Sequence, residues 1–188
     1  MKLHLACGET ILGNGWTNVD IRECPCEKLD EESIYLVKDC TDLSWLENES
    51  VDEILVAHFL EHFRVADHHA ILSSWWRVLK FGGRLRLVCP DFEYIVNIWC
   101  NNETRNWSNF SDSIFDIPSA PGTPGHRSVI DTKYLTYTLN ESEFILDYVE
   151  QRNGCLYTVA TKPTDFKYPK DRVALIEGED PESDRVWA

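Results

Sequence analysis

From Lys2 to Pro90 the sequence alternates short apolar runs with helical or loop stretches. That is the pattern of a parallel sheet joined by crossover connections. The runs predict strands over Lys2–Ala6, Thr17–Ile21, Ile34–Lys38, Asp52–Ala57 and Arg84–Cys89. Before the last of these, Val65–Leu79 sets Ala66, Ile71, Leu72, Trp75, Val78 and Leu79 at helical spacing. Gly82-Gly83 is expected to end that helix, and Pro90 to stop the next strand.

Past Pro90, Asp91 is placed to cap a helix over Phe92–Trp99. Residues 101–130 are rich in Asn, Ser, Pro and Gly and read as a long irregular insert. A helix is expected over Asp131–Leu139. Asn140 with Glu143 has the form of a capping box opening another helix, which Asn153-Gly154 would close. Cys155–Thr161 and Arg172–Ile176 read as a late antiparallel pair, and Glu177 onward as a fraying acidic end. The class is α/β: one domain spanning 1–188, built on an open, doubly wound, mostly parallel sheet with helices on both faces and an antiparallel hairpin near the C-terminus.

Charge limits the partners. The formal net charge is −14 and the pI about 4.7. Such a surface repels phosphate backbones and anionic lipid, so no general nucleic-acid binding and no membrane association are expected. No apolar run is long enough to cross a bilayer, and the N-terminus lacks a signal-peptide core. Seven cysteines, an odd number, several inside strand-like runs, fit free thiols in a reducing cytoplasm.

In an open sheet of this kind a ligand sits beyond the carboxyl ends of the strands, where the strand order reverses. The residues at those ends are Leu5-Ala6-Cys7-Gly8, Asp20-Ile21, Asp39-Cys40, Ala57-His58 and Pro90-Asp91. Small residues after the first strand admit a ligand close to the backbone. A carboxylate ending the second strand suits vicinal ribose hydroxyls. An acidic group after the third strand can accept from an adenine amino group. Each feature alone also fits a solvated turn or helix cap. Together they describe an adenosine site.

His58-x-x-Glu61-His62 has the form of an inverted zinc-protease motif. That motif needs one continuous helix, and here it comes directly after a strand, so no metal is expected. Glu61 and His62 are read as a helix start with a buried hydrogen bond, and His68-His69 as solvated residues near a helix start. Cys24-x-Cys26 with Cys40 lacks the spacing and fourth ligand of a zinc clip. Trp75-Trp76 is read as core plus a half-buried neighbour. Trp99, Trp107, Phe110 and Phe115 are divided between the core of the insert and an acceptor pocket.

Four blocks, Lys2–Gly8, Gly15–Asp20, Val51–Phe63 and Trp76–Phe92, together resemble the small S-adenosylmethionine-dependent methyltransferases of the Rossmann-like class in order and spacing. His126-Arg127 is a fainter match to that family's C-terminal part. The usual acidic residue and glycine triplet of the family's first motif are His4, Ala6, Gly8 and Thr10 here. The stretch from Gly8 to Asp20 is too short for a full first helix, a shortcut that one subgroup shares. Phe81 stands where proline is usual.

The resemblance implies S-adenosylmethionine as cofactor, with S-adenosylhomocysteine as product. Leu5, Ala6, Cys7, Gly8, Asp20, Ile21, Asp39, Cys40, Ala57 and His58 would bind it. The implied activity is methyl transfer to a small-molecule acceptor, with His58, His126 and Asp91 as catalytic candidates and the 101–130 insert as a lid. The alternatives are a non-catalytic nucleoside-binding module and, more distantly, a zinc hydrolase acting through His58, Glu61 and His62.

Overall fold

The computed structural model describes residues 1–24, 33–101, 106–115 and 125–164. Among these residues seven strands form one sheet: β1 (Lys2–Leu5), β2 (Trp16–Asp20), β3 (Ile34–Val37), β4 (Val51–Ala57), β5 (Leu79–Pro90), β6 (Ile145–Arg152) and β7 (Cys155–Thr161). Their spatial order is β3-β2-β1-β4-β5-β7-β6. The first five pair in parallel, and β7 runs antiparallel to both β5 and β6. Among the described residues four α-helices accompany them: α1 (Val65–Val78), α2 (Phe92–Asn101), α3 (Trp107–Phe115) and α4 (Thr132–Glu141).

Strand periodicity sorts the sheet into two unlike faces. Leu3, Leu5, Ile54, Val56, Leu85, Leu87, Leu156 and Ala160 point to one side, where they form a core with Ile71, Leu72, Trp75 and Val78 of α1 and Leu135 and Leu139 of α4. The opposite side carries polar side chains that are also buried: His4, Asn18, Glu53 and Arg86. Glu53 bridges Lys2 at 3.0 Å and Arg86 at 2.5 Å. Trp75 is fully buried with its indole N–H on Cys40 O, while Trp76 is half-buried, as expected of the pair.

Several expectations are corrected. Helix α1 does not run to Gly82-Gly83. It stops at Val78 because Glu49 and Ser50 donate their N–H groups to the Arg77 and Val78 carbonyls (3.1 and 2.9 Å), so no glycine cap is needed. The chain passes straight into β5, and the two glycines lie inside it, opposite a register shift between Val51 and Glu53. A Cβ on Gly83 would lie 2.8 Å from Lys80 O and 3.2 Å from Asp52 O.

The segment after Asn140 is not a second helix. Asn140 and Leu139 carbonyls accept from Glu143 and Phe144 (both 3.0 Å), and Glu143 takes a φ of 66°, so the supposed capping box is the end of α4. The chain then enters β6, and Asn153-Gly154 (φ 52° and 81°) is the tight turn into β7. The C-terminal antiparallel pair is therefore β6–β7; the proposed strand Arg172–Ile176 and the acidic end lie outside the described residues. The 101–130 insert is not wholly irregular: it contains α3, whose first turn Asn106 caps by accepting from Ser108 and Asn109. His68 is not solvated but fully buried, with Nδ1 2.7 Å from Tyr134 Oη and Nε2 2.9 Å from Leu60 O; His69 is exposed.

Candidate active site

The chain order reverses between β1 and its neighbour β4, and a cleft of about 310 Å³ opens there. Ala6, Cys7, Ala57 and His58 at the strand ends line it, with Thr10 and Leu12 from the loop after β1. Deeper in, His4, Leu55, Val88 and Tyr157 complete its wall. Sequence reading missed Leu55 and Val88, although period-2 counting back from Ala57 and Pro90 puts them on that face. Tyr157 had no local signal, because the β5–β7 register that sets it opposite Val88 is a non-local pairing.

The loop after β1 is shaped for close approach. Ala6 and Gly8 have φ of 51° and 56°. Gly8 N–H donates to Asp20 Oδ2 (2.9 Å), Ala6 N–H to Cys40 Sγ (3.2 Å) and Cys7 N–H to Val19 O (3.2 Å). A Cβ on Gly8 would lie 3.2 Å from Arg22 Nη2. Leu5 turns its side chain into the core, so only its backbone can serve the cleft. Cys7 and Cys40 are both buried; burial pushes the Cys7 thiol up to about 11, aided by the Asp20 charge, and Cys40 up to about 12. Neither is a nucleophile at neutral pH.

Asp20 ends β2 with its carboxylate buried. It accepts from the Arg22 backbone N–H at 2.9 Å, from Arg22 Nε at 3.0 Å and from Arg22 Nη2 at 3.2 Å. Burial works against ionisation, but the bonds from Arg22 and Gly8 outweigh it and hold the carboxyl below its ordinary range. Ile21 beside it is exposed. Asp39 is exposed and accepts from Thr41 N–H and Oγ1 (2.8 and 2.7 Å), which is the geometry of a turn cap.

Beyond β4, His58 has a φ of 52°, donates its N–H to Val88 O (2.9 Å) and sets Nδ1 3.4 Å from Glu61 Oε1. The Cys155 side chain and the Glu61 carboxylate push its imidazole up to about 10, so it is protonated at neutral pH. β4 ends at Ala57, and a separate 3-10 turn covers Leu60–His62, so His58 and His62 do not share the helix that a zinc-protease motif requires. Asp91 is buried and caps α2 by accepting from Glu93 N–H (3.1 Å); burial raises its carboxyl. His126 stands apart from the cleft, its ring packed edge-on to His62 at 5.1 Å.

Residues 10–87 match the family model of a methyltransferase domain. That stretch is similar to a methyltransferase domain. The fold of the chain is the Rossmann-like fold of the S-adenosylmethionine-dependent methyltransferases. A methyltransferase from Methanosarcina mazei superposes with a TM-score of 0.64 at 18% identity, over 87% of this chain and 92% of that one. One from Archaeoglobus fulgidus gives 0.56 at 14% identity, over 86% and 85%. The Burkholderia thailandensis 1,6-didemethyltoxoflavin-N1-methyltransferase, solved with 1,6-didemethyltoxoflavin and S-adenosylhomocysteine, gives 0.59 at 15% identity, over 86% and 70%. At such identities these likenesses are likenesses of fold. The comparison with curated proteins finds no match.

The cleft fits S-adenosylmethionine in three respects. Its volume is that of a small-ligand pocket. An ionised carboxylate stands at the end of β2, and a left-handed backbone without a Cβ at Gly8 lies beside it. The Arg22 guanidinium holds that carboxylate, but its side chain is 60% exposed and can withdraw into solvent.

Proposed function

We propose that this chain moves a methyl group from S-adenosylmethionine to a small-molecule acceptor. The observation that carries the reading is the hydrogen bond by which Gly8, next to the cleft-lining Cys7, holds Asp20 at the end of β2 beside the strand-order reversal. When bound, the cofactor supplies an electrophilic methyl group on a sulfonium centre. Asp20 would hold the ribose hydroxyls, and the backbone of Ala6–Gly8 would lie against the amino-acid end. Ile21, Asp39 and Cys40 border the adenine side. His4 cannot replace the usual acidic partner of the amino group: burial lowers its pKa and keeps it neutral.

The acceptor side is assigned to the far end of the same edge. There Ser113 and Ile114 of α3 share a water-sized cavity with Glu61, Pro90 and His126, which brings part of the insert to that edge, as a lid requires. His58, protonated, serves to orient an acceptor rather than to take its proton. His126 sets Nδ1 3.1 Å from Ile114 O, and that carbonyl orients its ring at the same end. Asp91 belongs to the cap of α2 more than to chemistry.

A small acceptor accords with the net charge of −14, which disfavours nucleic acid, and with the small molecule bound by the Burkholderia relative. The described cysteines are free thiols, as a cytoplasmic protein keeps them, and no described helix is long and apolar enough to cross a membrane. The test is to incubate the full chain with methyl-labelled S-adenosylmethionine and a fractionated metabolite extract. Label should move to a low-mass product with equimolar S-adenosylhomocysteine. Binding of the cofactor with no transfer to any fraction would leave the nucleoside-binding module as the reading.

A further inference from the structure

Glu61 is 2% exposed, and neither of its carboxylate oxygens has a hydrogen-bond partner. His58 Nδ1 approaches Oε1 at 3.4 Å without the geometry of a hydrogen bond. The ion pair with His58 still leaves both oxygens of this buried carboxylate without a donor, which is costly. His62 Nδ1 is likewise buried and unbonded. One ligand atom each from Glu61, His62 and His126 lies within 4.8 Å of the other two.

The three are held by their own supports. Arg127 and Ser128 donate backbone N–H groups to Glu61 O (2.7 and 3.1 Å), which ties the His126 loop to the Leu60–His62 turn. His68 Nε2 fixes the start of that turn through Leu60 O (2.9 Å). His126 Nδ1 lies 3.1 Å from Ile114 O, and since a carbonyl only accepts, Nδ1 carries a proton there. A carbonyl partner of this kind orients ligating histidines in metal sites. Beside Glu61, His126 and Ser128 is a cavity of about 10 Å³, close to the room one water-sized sphere needs.

We propose that Glu61, His62 and His126 bind a divalent first-row transition ion. Two imidazoles and one carboxylate suit zinc, cobalt or iron better than magnesium or calcium, and three ligands leave open coordination positions. Two residues of the sequence motif His58-x-x-Glu61-His62 thus take part, but His126, distant in sequence, replaces His58 as the second imidazole. The site shares Glu61 and His126 with the proposed acceptor end but not Asp20 or Gly8, so the metal test and the cofactor-binding test fail separately.

The test uses Co²⁺ added anaerobically to the metal-free full chain. One equivalent should bind with ligand-field bands and no thiolate charge-transfer band, which separates this site from Cys7, Cys40, Cys89 and Cys155. Glu61→Gln and His126→Ala should each weaken binding by at least about tenfold, while His69→Ala, an exposed control, should not. Added Co²⁺ should raise the Tm of the wild type and not that of His126→Ala. His126 is half-buried on a loop, so its variant carries the comparison should Glu61→Gln fail to fold. Absence of one-equivalent binding, a thiolate band, or unchanged affinity in His126→Ala would overturn the proposal.

Discussion

Arg22 folds back onto Asp20, its Nε 3.0 Å from Oδ1 and its Nη2 3.2 Å from Oδ2. The guanidinium therefore competes with ribose hydroxyls for the carboxylate proposed to bind them. The Arg22 side chain is 60% exposed, so the pair resembles surface ion pairs worth about 0.2–1 kcal/mol. Arg22→Ala should tighten S-adenosylhomocysteine binding by up to about fivefold. Calorimetric titration of the variant checks this; weaker binding would make Arg22 a contributor to the cofactor site.

His4 lies 5% exposed in the cleft wall with Nδ1 3.2 Å from Asn18 Oδ1, and burial lowers its pKa below the ordinary 6.5. Below pH 6.5 the unfolded chain binds a proton that the folded chain resists. Stability is then lost as pH falls through the unfolded value, by at most about 1.4 kcal/mol per pH unit. His4→Gln removes this component. Urea unfolding at pH 7.5 and 5.5 should give a smaller stability difference for His4→Gln than for the wild type. Equal differences would mean His4 titrates freely.

Gly154 holds a φ of 81° at the β6–β7 turn, and a Cβ there would lie 3.0 Å from Tyr94 Cε1. Gly154→Ala combines a left-handed strain of about 1–2 kcal/mol with that clash. Chemical denaturation should show a loss of at least that size. A neutral substitution would place the hairpin turn in another conformation.

The parallel half of the fold is legible in the sequence because each of its strands is a local run bounded by turn residues, from Lys2–Leu5 to Val51–Ala57. Position at a strand end is likewise local, which is why Gly8, Asp20 and His58 stand out without any knowledge of contacts. The errors come where distant segments decide. Glu49 and Ser50 cap α1, so the Gly82-Gly83 stop signal is spent on a bulge in β5 instead. Asn153-Gly154 is as good a hairpin turn as a helix end, and only the pairing of Ile145 with Thr161 decides between them. The grouping of His126 with Glu61 and His62 depends on a loop returning to a turn far back in the chain, and no spacing rule reaches that far.

Titration of S-adenosylhomocysteine into the full chain and into Asp20→Ala tests the central claim most directly. Each hydrogen bond to a charged acceptor contributes about 1.5–3 kcal/mol, and Asp20 offers two oxygens to the ribose. We predict one-to-one binding to the wild type and at least about tenfold weaker binding to an Asp20→Ala chain that keeps its fold. No heat of binding to a folded wild type, or equal affinity in the two chains, would contradict the assignment of this cleft to the cofactor.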